Sequence, residues 1–222
     1  FSGQDMERLA ITSTEPGDGK TTVIANLAVS YAHAGKRTLL IDCDLRRPGL
    51  TKLFELRGSG GVSEILRSDE DLAALCDERV QATGIDGLDI IPCGPKPSNP
   101  AELLSGPRLS DLLAWAETHY DQILVDCPPI LAASDAAIVG RLTDSLILVV
   151  QPEKNHRRLV LRAVNGLAAI GVHIGGVVAN RVSTEKNSGY YGYGGYGYGY
   201  GYGYSETAAG EESDSLPSKP SP

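Results

Sequence analysis

Thr14-Glu15-Pro16-Gly17-Asp18-Gly19-Lys20-Thr21-Thr22 is the stretch whose reading decides the fold. It stands between a short apolar run, Leu9-Ala10-Ile11, and a segment with helical patterning, Val23-Ile24-Ala25-Asn26-Leu27-Ala28-Val29. A glycine-rich turn between strand and helix aims several backbone N–H groups, and the positive end of the helix dipole, at one point. That point binds phosphate. Pro16, Gly17, Asp18, Gly19, Lys20, Thr21 and Thr22 are therefore the expected nucleotide contacts. Lys20 would reach the β- and γ-phosphates, and the Thr21 hydroxyl would sit on Mg²⁺. The loop departs from the strict G-x-x-x-x-G-K-[ST] pattern at its first position, Thr14. Gly-Lys-Thr-Thr alone would also suit a tight turn ahead of an amphipathic helix, but the strand and helix stand in the order a nucleotide site needs.

Working outward, the first helix is expected to run to about Ala34 and to stop at Gly35, a natural C-terminal cap. Apolar strands are expected at Arg37–Asp42, Leu88–Pro92, Gln122–Asp126, Ser145–Val150 and Ile174–Val178. Between them lie helical segments at Ser63–Arg67, Leu72–Asp77, Asn99–Leu104, Leu109–His119, Ser134–Arg141 and Arg158–Ile170. Strands apolar on both faces, alternating with helices, indicate an α/β fold with a mostly parallel sheet covered on both sides. Such sheets bind ligands beyond the carboxyl ends of their strands. The phosphate loop, Asp42 and Asp126 all fall at such ends.

Asp42 and Asp44 are separated by one residue in Leu39-Leu40-Ile41-Asp42-Cys43-Asp44-Leu45-Arg46-Arg47 and can point the same way, as alternate strand positions do. In an ATP site one can bind Mg²⁺ while the other accepts a proton from an incoming hydroxyl. A solvated acidic turn flanked by two arginines is the plainer alternative. Asp126, in Ile123-Leu124-Val125-Asp126-Cys127-Pro128-Pro129, has the position of a Walker B acid that holds Mg²⁺ or its water. Asn180-Arg181 follows the last strand. The Asn180 amide suits either the adenine edge or a plain turn.

The composition narrows the classes. With 222 residues, 41% of them hydrophobic, the chain can bury a real core. The net charge is −8, and the stretch from Gly189 onward carries four acids against one lysine, so the body holds about −5. With no basic run, nucleic acid is not an expected partner. Cys43, Cys76, Cys93 and Cys127 show no metal spacing and read as small buried residues of a reducing compartment. The four histidines are scattered. No run approaches the ~18–20 apolar residues of a membrane span. A first residue other than methionine suggests a piece of a longer protein, with room for a membrane segment upstream.

Residues 1–184 are thus expected to form the folded domain and 185–222 a disordered tail. Eight of the ten tyrosines lie at Tyr190, Tyr191, Tyr193, Tyr196, Tyr198, Tyr200, Tyr202 and Tyr204, alternating with glycine. Glycine raises backbone entropy, and no aliphatic residue is there to pack. The repeat suits an adhesive linker or a string of phosphate acceptors. Eight phosphotyrosines would add on the order of −12 to −16 charge, enough to drive apart an assembly that gathers several tails.

Taken together, the residues resemble the bacterial tyrosine kinases of capsule and exopolysaccharide export. The resemblance rests on Thr12 to Thr21 as Walker A, Leu40-Ile41-Asp42-Cys43-Asp44-Leu45-Arg46 as the family's extra A′ motif, and Ile123 to Pro129 as Walker B. Asn99-Pro100-Ala101-Glu102-Leu103-Leu104-Ser105, Ser134-Asp135-Ala136 and the tyrosine cluster are also similar. It implies tyrosine autophosphorylation with ATP and Mg²⁺, and control of polysaccharide export from the cytoplasmic face of the bacterial inner membrane. The implied partners are a membrane adaptor segment, fused or separate, a tyrosine phosphatase, and copies of the chain in a ring where one tail enters a neighbour's site. By position it implies Lys20 and the loop amides on phosphate, Thr21 and Asp44 on Mg²⁺, Asp126 in support of the metal, Asp42 activating the tyrosine hydroxyl, and Arg46 in the catalytic set. The family's ring-forming helix, expected ahead of the first strand, is absent, so this chain alone is expected to be monomeric. The tail is also a longer and more regular Gly-Tyr alternation than the family's. Two rivals remain: partition and division-site ATPases, which have a lysine where this chain has Glu15, and a nucleotide-bound scaffold with a Gly-Tyr interaction tail.

Overall fold

A computed structural model describes residues 7–56 and 58–183. The tyrosine positions from Tyr190 to Tyr204 and the expected 185–222 tail lie outside the described residues. The chain order opens β1 (Arg8–Ser13), α1 (Lys20–His33), β2 (Thr38–Asp42), α2 (Gly49–Leu53), α3 (Val62–Ile65), α4 (Leu72–Arg79), β3 (Gln81–Ile85) and β4 (Leu88–Ile91). It continues α5 (Pro100–Leu104), α6 (Arg108–His119), β5 (Gln122–Asp126), α7 (Asp135–Gly140), β6 (Ser145–Val150), α8 (Arg157–Ala169) and β7 (Ile174–Ala179).

The seven strands form one sheet in the order β3-β4-β2-β5-β1-β6-β7. Every pairing is parallel except the β3–β4 hairpin. Successive strand residues face opposite sides, so each buried strand feeds two cores. Ala10, Leu39, Ile41, Ile123 and Val125 join the cluster packed by α6 and α7. Leu9, Ile11, Leu40 and Leu124 join the cluster packed by α1. Fully burying one such leucine or isoleucine contributes about 1.5–3 kcal/mol.

α1 is amphipathic through Ile24, Ala25, Ala28 and Ala32. It ends where Gly35, at φ 83°, turns the chain and donates its N–H to the Ala32 carbonyl (2.9 Å). Two elements correct the expected layout. α2 follows the A′ acids in a stretch for which no element is expected, and β3 adds an antiparallel edge. Leu88-Asp89-Ile90-Ile91 has the apolar run of a buried strand, whereas β3 is half-exposed Gln81-Ala82-Thr83-Gly84-Ile85, too polar to show that pattern. The connecting Asp86-Gly87, with Gly87 at φ 76°, was the available hairpin signal.

The strand order places the site. β1 lies between β5 and β6, while the chain leaving β1 through α1 returns at β2, beyond β5. The sequence direction switches there, and loops from adjacent strand ends diverge to leave a crevice. Asp42 and Asp126 are register partners at the carboxyl ends of β2 and β5. The phosphate loop leaves β1 beside them.

Candidate active site

The loop from Thr14 to Gly19 delivers the chain into α1, whose first residue is Lys20. Gly19 sits at φ 94° and Gly17 at φ 85°, a left-handed geometry that a side chain would strain. A β-carbon on Gly19 would also overlap the Asn180 amide nitrogen. No side chain caps the start of α1. Its first amides can therefore serve a ligand.

Lys20 is the centre of the charge arrangement. Its ammonium contacts both Asp126 oxygens (3.0 and 3.2 Å) and Asp44 Oδ2 (3.0 Å). Burial alone would lower its pKa, but the Asp126 and Asp44 charges outweigh that and raise it to about 12. Thr21 Oγ1 donates to Asp126 Oδ2 (2.9 Å). Burial holds Asp126 above the usual carboxylate range despite Lys20 and Thr21.

Asp42 is fully buried, and Asp44 is 3% exposed. Asp42 Oδ2 accepts from both the Thr51 N–H and the Thr51 hydroxyl (2.8 Å each), and Oδ1 accepts from the Asp44 N–H (3.2 Å). Burial, then the charge of Asp126, pushes its carboxyl up to about 7. Asp44 instead lines a cleft of about 390 Å³ with Gly17, Gly19, Lys20 and Thr21. Arg46 and Arg181 lie on the same cleft. Arg46 is clamped from behind, with Nε and Nη2 donating to the two oxygens of buried Asp135 (2.8 and 3.0 Å). Gly49, opening α2, packs so closely on Thr21 that a β-carbon there would come within 2.5 Å of Thr21 Oγ1.

The structure thus brings together Pro16, Gly17, Gly19, Lys20, Thr21, Asp44, Arg46 and Arg181, with Asp126 and Asp42 directly behind. It does not bring the Asp18 side chain to the cleft. That carboxylate is fully buried and turned inward, onto Lys154, Asn155 and the Glu15 N–H. Thr22 is exposed on the first turn of α1, outside the cleft lining. Asn180 gives its amide N–H to the Asp18 carbonyl (2.8 Å), which leaves its oxygen for a ligand. Thr51, Asp135, Lys154 and Asn155 were not read as site residues. Ser134-Asp135-Ala136 stood out only through family resemblance, and no local pattern marks the other three.

The donor set also fits the metal such a site requires. The Thr21 hydroxyl with the Asp44 and Asp126 carboxylates is hard oxygen chemistry, and Mg²⁺ takes one or two carboxylates and completes its shell with phosphate and water.

Comparison with known proteins agrees with this geometry. A family described as an AAA domain matches residues 6–178. Tyrosine-protein kinase YwqD of Bacillus subtilis (strain 168) is 38% identical over 191 residues, covering 85% of this chain and 79% of that protein. The chain belongs to the bacterial tyrosine-protein kinases. Among solved structures, the VpsO kinase domain superposes with a TM-score of 0.75 at 40% identity, over 82% of this chain and 88% of that one. The septum site-determining protein MinD of Pyrococcus horikoshii OT3, complexed with Mg-ADP, shares the fold at a TM-score of 0.66 and 26% identity, over 79% and 70% of the two chains. Likeness is thus greater to the kinases than to the division-site ATPase. Among the described residues no helix is long and apolar enough to cross a membrane.

Proposed function

We propose that this chain transfers the γ-phosphoryl group of ATP, with Mg²⁺, to tyrosines of its own C-terminal cluster. The observation that carries the reading is the convergence of Lys20, Thr21, Asp44 and Asp126 on one cleft at the carboxyl ends of β1, β2 and β5. Lys20 and the loop amides hold the phosphates, and Thr21, Asp44 and Asp126 hold the metal. Mg²⁺, when bound, would neutralise charge on the transferring phosphates. Arg46, aimed by Asp135, adds a fixed positive charge at the cleft wall.

Asp42 is the proposed proton acceptor. A phenol of pKa ~10 gives up its proton more readily to a carboxyl raised to about 7 than to an ordinary one. Asp42 lies behind Asp44, so the reading requires the acceptor hydroxyl to approach past Asp44. Asn180 offers its free oxygen to adenine, and Arg181 closes that end. Tyr190, Tyr191, Tyr193, Tyr196, Tyr198, Tyr200, Tyr202 and Tyr204 are the acceptors, presented in trans by a neighbouring copy. In the cell the domain works at the cytoplasmic face of the inner membrane. There a membrane adaptor segment would activate it, a tyrosine phosphatase would reset it, and its phosphorylation state would control capsule or exopolysaccharide polymerisation and export.

The test is mass spectrometry of the purified chain after incubation with ATP and Mg²⁺, beside a Lys20→Met control. It is run at high protein concentration, so that one copy can meet the cluster of another. Phosphate on residues 190–204 that disappears in the control is the expected result. ATP turnover with every tyrosine unmodified would replace the kinase reading with an ATPase switch.

A further inference from the structure

We propose that Lys154, which precedes α8, is a positioning residue for nucleotide binding. It acts from the outer side of the phosphate loop and sets, together with Asn180, the peptide orientations that form the phosphate seat. The inference rests on reading this loop as the nucleotide site. A trans peptide is planar, so its C=O and N–H point in opposite directions. Lys154 Nζ donates to the Pro16 carbonyl (2.5 Å), and that peptide's N–H, on Gly17, is thereby aimed the other way, toward the cleft Gly17 lines. Asn180 Nδ2 does the same two peptides on. It holds the Asp18 carbonyl (2.8 Å) and so turns out the N–H of Gly19. Gly17 and Gly19 both have positive φ and no side chain to hold them there, so pins from outside the loop set the conformation.

Asp18 completes the brace. Its Oδ1 accepts from Lys154 Nζ (2.7 Å) and Asn155 Nδ2 (3.2 Å), while Oδ2 accepts the Glu15 N–H (2.8 Å). The Asn155 amide also donates to Glu15 Oε2 (2.8 Å), and its oxygen accepts the Gln151 N–H (2.6 Å). The chain between β6 and α8 is thus strapped to the loop, with a lysine and a buried carboxylate as its charged pair. Lys154 is 37% exposed and is not among the cleft-lining residues. It therefore acts through the loop backbone, not on the phosphates.

Binding of fluorescent ADP and non-hydrolysable ATP analogues, with Mg²⁺, to the full chain tests this by anisotropy. Lys154→Met is expected to weaken both analogues by about tenfold, the worth of one hydrogen bond to a charged group. The ATP KM should rise in parallel while kcat stays within about threefold, the pattern of lost uniform binding. Lys154→Arg should recover most of the affinity. The double variant Asp18→Asn, Lys154→Met removes the unpaired buried charge. It should regain thermal stability without regaining affinity. Wild-type affinity in Lys154→Met would overturn the proposal. So would recovery of affinity in the double variant, since the lysine would then only balance Asp18, and so would a loss confined to the triphosphate, since it would then touch the γ-phosphate. A wild-type chain that binds neither analogue would overturn the nucleotide-site reading and this inference with it. The readout is binding, so the result does not depend on tyrosine being the acceptor.

Discussion

Asp42 and Asp44 are two residues apart, yet Asp44 faces the cleft while Asp42 faces Thr51. Thr51 is the hinge of that difference. Its hydroxyl donates to Asp42 and accepts the Cys93 N–H (2.9 Å), so one buried oxygen joins the ends of β2 and β4. Thr51→Val keeps the shape but strands the Cys93 N–H and removes a donor from a buried carboxylate. The expected cost is about 1–3 kcal/mol in urea unfolding of the ligand-free chain, with Thr51→Ser close to wild type. Equal losses in both variants would assign the effect to packing rather than to the hydroxyl. The pairing of Asp42 with Thr51 spans nine positions and follows no repeat, so nothing in the local sequence announces it.

Short connecting elements determine which side chains reach the cleft. α7 presents Asp135 to Arg46 across 89 residues, and α2 brings Gly49 against Thr21. Arg46 is 42% exposed on its side chain, which moderates the strength of the pair, but Asp135 is fully buried. A double-mutant cycle on Arg46→Ala and Asp135→Asn should give a coupling of about 1–2 kcal/mol, and a value near zero would mean the clamp holds nothing. α3 depends on a close approach. A β-carbon at Gly61 would overlap the Pro92 carbonyl, which accepts the Val62 N–H (2.8 Å). Gly61→Ala should therefore lower stability by about 2–3 kcal/mol, and an unchanged denaturation midpoint would show that the loop can move aside.

At the scale of the molecule, Arg8 ties the start of β1 to the approach to β6. Its backbone N–H donates to Asp144 Oδ2 (2.8 Å), its Nε and Nη2 reach Oδ1 (3.2 and 2.7 Å), and Nε also pairs with Glu117 on α6 (2.9 Å). Burial pushes the Asp144 carboxyl up, but its bonds to Arg8 outweigh burial and hold it below the usual range. A carboxyl depressed on folding contributes stability above its unfolded pKa and loses it as pH falls through the folded value. Asp144→Asn should thus cost about 1 kcal/mol at pH 7 and progressively less as the pH falls below the usual carboxylate range. A pH-independent cost would place the effect in packing instead.

The phosphate loop, the acids at the ends of β2 and β5, and the alternation of apolar strands with helices were all readable in the chain itself. Each is a local pattern, set by the period of a strand or helix and by the chemistry of a glycine-rich turn. Those patterns located the cleft and most of its lining, and the resemblance they carried agrees with the kinships of the chain. What the sequence alone did not separate were the two acids of the A′ stretch, the clamp from Asp135 to Arg46, and the brace of Lys154 and Asn155 on the loop. These depend on where separate segments cross. Lys154 lies 138 residues from the carbonyl it holds, and only the order of strands in the sheet brings β6 beside β1 and sets that lysine behind the loop.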